Sequence, residues 1–345
     1  MIVINGRFLS QRITGIQRFA YEICCALHQI GEDFVILSPE NIQKEYDLTG
    51  LRVEIIGGKG SHYWEQITLP RYMKRHYNGC VLLSLSGLSP LLYHRNILTI
   101  HDISYVLRPR SYSLLYCLYY QFMTPLAAKR SQKILTVSQF SKDELVDKLH
   151  VAADKIAVVY NAVRPSVKPP RQPSRYLLSV ASLLPRKNLK RLLEAYCGLD
   201  SPDFELYFVG GVLANYADAD LSEYVGKKGV RFLGYVSEEN LSQLYRNAIA
   251  YINPSLYEGF GIPNVEAMNM ECPLVVSDIP AFREVCGDAA IYFNPMDIED
   301  IQDKMRCIVQ DDALRRQLIA KGCEQMKQFS WEQSAVEITK IIQQL

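Results

Sequence analysis

The chain has 345 residues, 48% of them hydrophobic and 22% charged, with a formal net charge of +1. That balance excludes a disordered, collagenous or nucleic-acid-coating protein, and the length suits two domains rather than one core. The charge is uneven: residues 1–165 carry net +6 and the remainder net −5. Such an asymmetry suits phosphorylated or membrane-borne partners, and it is also of a size that arises by chance.

The opening run MIVIN reads as a strand. It has none of the charged, apolar and cleavage regions of a leader peptide, and no apolar run reaches the ~18 residues of a spanning helix, so a cytoplasmic enzyme is expected. The loop NGRFLSQRITGI then brings Gly6 and Gly15 without a G-x-G-x-x-G spacing, so the dinucleotide fingerprint is missing. Apolar positions three and four apart predict a helix over residues 16–30. The runs FVILS, RVEII and CVLLS are the next strands, with the basic cluster PRYMKRHYNG ahead of the last. The strand NILTI ends on His101 and Asp102. An imidazole there suits a bond to a sugar hydroxyl or polarised carbonyl, with Asp102 placed to orient it; a satisfied structural histidine is the alternative. Residues 111–130, SYSLLYCLYYQFMTPLAAKR, are aromatic and apolar at helical spacing with no clearly polar face, which favours core packing over a membrane-surface helix. The strands KILTV and IAVVY, with a helix over residues 139–149 between them, complete the first half.

Residues 164–175, RPSVKPPRQPSR, hold four prolines and no apolar period, and read as a stiff linker. The domains are therefore expected at residues 1–163 and 176–328, with a helix from about 329 to 345 free to pack back on the first. In the second half the strands are YLLSV, ELYFV, VRFLG, IAYIN, PLVVS and AIYFN, with helices over residues 189–197 and 238–247. Strands alternating with amphipathic stretches predict α/β domains built on parallel sheets, with ligands beyond the carboxyl ends of the strands. Nine cysteines never form C-x-x-C and six histidines are scattered, so neither a disulfide framework nor a metal site is indicated. The cysteines read as small apolar fillers.

Two clusters in the second half fall where such ligands bind. Arg186 and Lys187 precede Asn188, read as the N-cap of the next helix, and adjacent cations at a helix start form a diphosphate clamp. After IAYIN comes the turn Glu258-Gly259-Phe260-Gly261, followed by Ile262 and by Pro263 near a helix start. The glycines let amides approach an anion, and Glu266 in the first helical turn and Glu258 before the glycines would bracket that site, accepting from vicinal hydroxyls. Solvated loop charges are the alternative for each residue taken singly.

The segments SVASLLPRKNL, FLGYVSEENL, PSLYEGFGIPNVEAM, PLVVSDIPAFREVCGDAAIYFNP and FSWEQSA, with TIHDISY and TVSQFSK in the first half, resemble family 4 of the retaining glycosyltransferases, the group 1 family. The resemblance spans nearly the whole chain and implies the GT-B fold, two Rossmann-like parallel-sheet domains facing across a cleft. It implies that Glu266 binds the donor ribose and Glu258 faces the transferred sugar. Arg186 and Lys187 would hold the diphosphate, and the backbone of Gly259, Phe260, Gly261, Ile262 and Pro263 would complete the phosphate and sugar contacts. His101 would touch the donor sugar, Gly234 and Tyr235 would lie near the base, and Gly15 would let the first loop approach donor or acceptor. Thr14-Gly15 departs from the double glycine of many members. The implied activity is retaining transfer of a hexosyl unit from a UDP- or GDP-type sugar to a glycan or lipid-linked oligosaccharide acceptor in surface polysaccharide synthesis, without a metal or other cofactor. Contact with the inner membrane face, and no nucleic acid, complete the expected partners. An epimerase or phosphorylase of the same fold, or a non-catalytic nucleotide-sugar-binding subunit, are the rival readings.

Overall fold

The computed structural model describes residues 1–165, 167–172, 174–211 and 221–345, so Ser166 and Pro173 of the proline-rich segment lie outside the described residues. The chain divides into two compact units, Met1–Ala162 with Ser330–Leu345, and Val163–Phe329.

In the first unit the strands are β1 (Ile2–Asn5), β2 (Phe34–Ser38), β3 (Val53–Ile55), β4 (Val81–Ser84), β5 (Asn96–Thr99), β6 (Lys133–Thr136) and β7 (Ile156–Val158). They form one sheet in the order β3-β2-β1-β4-β5-β6-β7, parallel at every pairing. β1, β2, β4 and β5 are buried at every residue, which is why they read as unbroken apolar runs instead of alternating ones. The helix Gly15–Gln29 buries Phe19, Ile23 and Leu27 on one stripe and packs against the C-terminal helix Trp331–Gln343. Phe19 and Trp331 meet edge to face at 5.8 Å, and Ser334 Oγ donates to the Tyr160 carbonyl at 2.8 Å. Each large side chain buried there contributes roughly 1.5–3 kcal/mol, enough to hold the last helix on the first unit.

The second unit carries β8 (Tyr176–Val180), β9 (Glu205–Val209), β10 (Val230–Phe232), β11 (Ala250–Asn253), β12 (Leu274–Ser277) and β13 (Ala290–Phe293), ordered β10-β9-β8-β11-β12-β13 and again all parallel. Its core gathers Leu177, Leu192, Leu206, Ile252, Val275 and Ile301. Strand order reverses between β8 and β11, as it does between β1 and β4, and the loops leaving such a pair diverge to open a crevice.

The proline-rich segment is not a bare spacer. Lys168 Nζ pairs with Glu271 at 2.5 Å, Arg171 donates to the carbonyls of Arg246 and Glu271 at 3.0 and 3.1 Å, and the Gln172 amide donates to Asn247 at 2.8 Å. Bonds from Lys168 and Arg246, acting against a smaller effect of burial, hold the Glu271 carboxyl at about 2. The cations among the prolines thus fasten this stretch along the second unit. Two further expectations change. Cys197, Cys307 and Cys323 are exposed and fill no core. The helix Leu114–Arg130 packs only one of its faces and leaves large apolar side chains in solvent on the other. Among the described residues, no helix is long and apolar enough to cross a membrane.

Candidate active site

Pairing of Tyr251 with Leu178 brings the carboxyl ends of β8 and β11 side by side. The chain leaving β8 turns through a short 3-10 segment, Pro185–Lys187, into the helix Leu189–Cys197, while the chain leaving β11 runs to the helix Ile262–Asn269. Backbone and side chains clasp the two loops together. The Leu256 amide donates to the Arg186 carbonyl at 2.8 Å, and Arg186 Nη1 donates to the Tyr257 carbonyl at 3.2 Å. Asn188 does not cap its helix with its side chain, as the sequence suggested. It sits at φ 57°, a left-handed conformation that asparagine tolerates, and its Nδ2 donates to the carbonyls of Pro254 at 3.1 Å and Pro295 at 2.7 Å. One buried amide thereby joins three loops.

This clasp sets both cations on one carboxylate. Arg186 Nη1 lies 3.0 Å from Glu258 Oε2, Lys187 Nζ is bonded to Oε1, and Ser255 Oγ lies 3.0 Å from Oε1. Glu258 is 8% exposed. Burial pushes its pKa up, but Lys187 and Arg186 more than reverse that and hold the carboxyl at about 2. Glu258 therefore fills the clamp, where the sequence had it bracketing an open anion site. Two cations thus converge on one carboxylate in a largely buried position, with donors of the kind that a ligand anion engages.

The turn that follows needs its last glycine. Gly261 has φ 94°, and a Cβ there would lie 2.6 Å from the Phe282 ring. Gly259 and Phe260 are buried, and the Phe260 ring meets Phe329 edge-on at 5.5 Å. Ile262 and Pro263 are the first two helical residues, where a missing N–H costs little. Glu266 stands in the second turn, one turn later than expected, and accepts from the hydroxyl of buried Tyr245 at 3.1 Å. Asn253 Nδ2 donates to Asn264 Oδ1 at 2.9 Å in full burial and locks this helix to β11. Sequence reading missed Asn188's bridging role, Asn253, Ser255 and Asn264; polar residues at the end of an apolar strand were the available signal. On the far side of β9, Gly234 at φ 66° accepts from the Gly210 amide at 2.8 Å, and Tyr235 is 78% exposed.

The first-unit candidates lie apart from one another in character. His101 is buried, its Nε2 is 2.9 Å from the Leu85 carbonyl, and its ring meets Phe19 edge-on at 4.9 Å. Burial lowers its pKa, outweighing the Leu85 bond and the Asp102 charge, so the ring is neutral, donates from Nε2 and offers Nδ1 as an acceptor. Asp102 does not orient it by a hydrogen bond; its Oδ1 accepts from Ser104 N at 2.8 Å and Oγ at 2.6 Å. Gly15 is the first residue of the helix Gly15–Gln29. Beside β1, sequence reading missed a buried network: Arg7 Nη1 and Asn5 Nδ2 each lie 2.9 Å from a Glu65 carboxylate oxygen, and Glu65 has no exposed surface. Among the described residues, no group of three His, Cys, Asp or Glu side chains is arranged to hold a metal ion.

The family model for glycosyl transferases group 1 matches residues 164–325, and that for glycosyltransferase family 4 matches residues 13–167. The chain is 30% identical to the O-antigen chain mannosyltransferase RfbU of Salmonella typhimurium over 91% of its own length and 93% of that protein. It is 33% identical to the O-antigen chain mannosyltransferase B of Escherichia coli, over 70% of this chain and 68% of the relative. The crystal structure of Anabaena HepE in complex with UDP and glucose superposes with a TM-score of 0.75 at 14% identity, covering 100% of this chain and 99% of that one. That likeness is one of fold.

Proposed function

The chain belongs to the family 4, group 1 glycosyltransferases, and from that premise we propose that it moves a mannosyl or related hexosyl unit, with retention, from a UDP- or GDP-type sugar to a hydroxyl of a glycan or lipid-linked acceptor. The observation that carries this reading is the cluster of Arg186, Lys187 and Glu258 at the point where strand order reverses in the second sheet. A leaving nucleoside diphosphate gains negative charge as the glycosidic bond breaks. A guanidinium fork and an ammonium fixed beside it stabilise that charge most when it is fully developed, which lowers the barrier and not merely the energy of the bound substrate. These cations take the role a divalent metal has in other transferases, so no cofactor enters this scheme.

In this proposal Glu258 leaves part of its bonding to the cations and turns an oxygen to the transferred sugar, Glu266 accepts from the donor ribose, and the amides of Gly259 to Pro263 meet phosphate and sugar. Gly234 and Tyr235 flank the base, Gly15 admits the first loop, and Nδ1 of His101 accepts from a sugar hydroxyl. The acceptor hydroxyl attacks on the face the diphosphate leaves and passes its proton to the departing phosphate oxygen as the old glycosidic bond breaks, giving retention without a covalent intermediate. Relatives named as O-antigen mannosyltransferases support mannose as the transferred sugar and a glycan chain as the acceptor.

The test is consumption of GDP-mannose, UDP-glucose and UDP-galactose by the purified protein, with the anomeric configuration of the product read by NMR. Release of nucleoside diphosphate from one donor, lost in Lys187→Ala and Glu258→Ala, is the expected result. Equal rates in the wild type and both variants would remove the site assignment; an inverted product would remove retention.

A further inference from the structure

We propose that the outward face of the helix Leu114–Arg130 inserts into an anionic lipid bilayer. Leu114, Leu115, Leu118 and Phe122 are 74%, 80%, 55% and 68% exposed, and Leu126 is also exposed. At about 100° per residue these five positions fall within one arc of roughly 120°. The opposite side is committed: Cys117, Met123, Ala127 and Ala128 are buried in the core of the first unit, with Tyr119 and Tyr120 packed against it. Surface helices ordinarily turn a polar side to water, and a contiguous apolar stripe of this size marks an interaction surface.

Charge identifies the occupant. From Ile103 through Lys133 there is no acidic residue and there are five cations, with Arg108 and Arg110 ahead of the helix and Lys129 and Arg130 in its last turn. Apolar side chains flanked at both ends by cations fit a layer with acidic headgroups at its surface and hydrocarbon beneath. A second copy of this chain fits poorly, because face-to-face pairing would oppose like charges. Contact with a bilayer deepens the lipid-linked acceptor proposed above, but the exposed face stands without that reading.

Flotation with vesicles tests it. The full chain should float with phosphatidylcholine vesicles containing phosphatidylglycerol, release at high salt and bind pure phosphatidylcholine poorly. The double variant Leu115→Asp/Phe122→Asp should lose at least tenfold in partitioning, and Arg108→Gln/Arg110→Gln should lose roughly fivefold per cation. All these side chains lie outside the core, and thermal unfolding checks that the variants fold; the charge variant carries the test if the acidic one does not. Wild-type protein that stays with the unbound fraction, or variants that float as it does, would overturn the proposal. So would a wild-type dimer that Leu115→Asp/Phe122→Asp converts to monomer without any vesicle binding. Vesicle binding by a protein that consumes no nucleotide sugar would support this surface while removing the transferase reading.

Discussion

Arg186 Nη1 lies 3.0 Å from Glu258 Oε2, in a bond that spans 72 residues of sequence and joins the loops leaving β8 and β11. With Lys187 on the other oxygen, the clamp holds an internal anion before any ligand arrives. In the donor complex proposed above, the internal carboxylate and a ligand phosphate would compete for the same donors.

Glu258→Gln should accordingly separate binding from turnover. The amide keeps the shape, removes the competing charge and loosens its hold on the two cations. Calorimetric titration should show GDP or UDP bound several-fold more tightly than by the wild type, while turnover falls by about 10²–10³, the usual loss when a group acting on the transition state is removed. Lys187→Ala should weaken both. Equal loss of nucleotide affinity in the two variants would mean that Glu258 organises the site instead of competing within it.

The same bonds predict an acid limb of stability. Glu258 and Glu271 hold their protons at about 2 in the folded chain, against an ordinary value of 4.5. The unfolded chain binds those protons more readily, so the stabilisation is complete above about pH 4.5 and is lost as pH falls toward 2. Melting temperature followed from pH 6 to pH 2 should drop across that window. Glu258→Gln and Glu271→Gln should each flatten part of the drop; unchanged steepness in both would mean that other carboxylates govern it.

How much of this was readable beforehand depends on how local each cause is. All thirteen strand runs became strands. In the central ones, such as β1, β2, β4 and β5, burial on both faces is written into consecutive residues, and the partly exposed β3 and β10 at the sheet edges kept enough β-branched and aromatic residues to read the same way. The turn from Glu258 to Pro263 and the Arg186-Lys187 pair were legible as motifs. Their mutual bonding was not, since it depends on the pairing of β8 with β11. Asn188 misled because a favourable cap residue and a left-handed bridging residue look alike in sequence. Asp102 was claimed by its neighbour Ser104, a bond too local for the strand-end argument to weigh. For residues 114–130 the pattern was apolar all round, and nothing in it distinguishes the packed side from the exposed one.

Two glycines should respond differently to a methyl group. Gly261→Ala meets both a left-handed backbone, about 1–2 kcal/mol, and a collision with Phe282, about 1–3 kcal/mol more. Gly234 also has a positive φ of 66° but nothing lies within 4 Å of its added Cβ, so Gly234→Ala should cost only the backbone share. Chemical denaturation should rank the variants in that order, with transfer falling further in Gly261→Ala as the turn beside Glu258 shifts. Equal stabilities would show that Phe282 moves aside freely.

His101 gives the most direct reading of a side chain's protonation. Its ring is buried against Phe19 and donates to the Leu85 carbonyl, and burial lowers its pKa from 6.5. A lowered value keeps the ring neutral on the alkaline side of its ordinary midpoint, so any inflection in its NMR shifts should fall below pH 6.5. Because the neutral ring serves as donor at Nε2 and acceptor at Nδ1, His101→Asn can supply both functions, whereas His101→Ala supplies neither. The alanine variant leaves the Leu85 carbonyl without that bond, at about 1–3 kcal/mol; the asparagine variant should recover much of the stability and part of the turnover. An inflection near pH 6.5, or equal behaviour of the two variants, would show that the imidazole works as a charged or purely space-filling group.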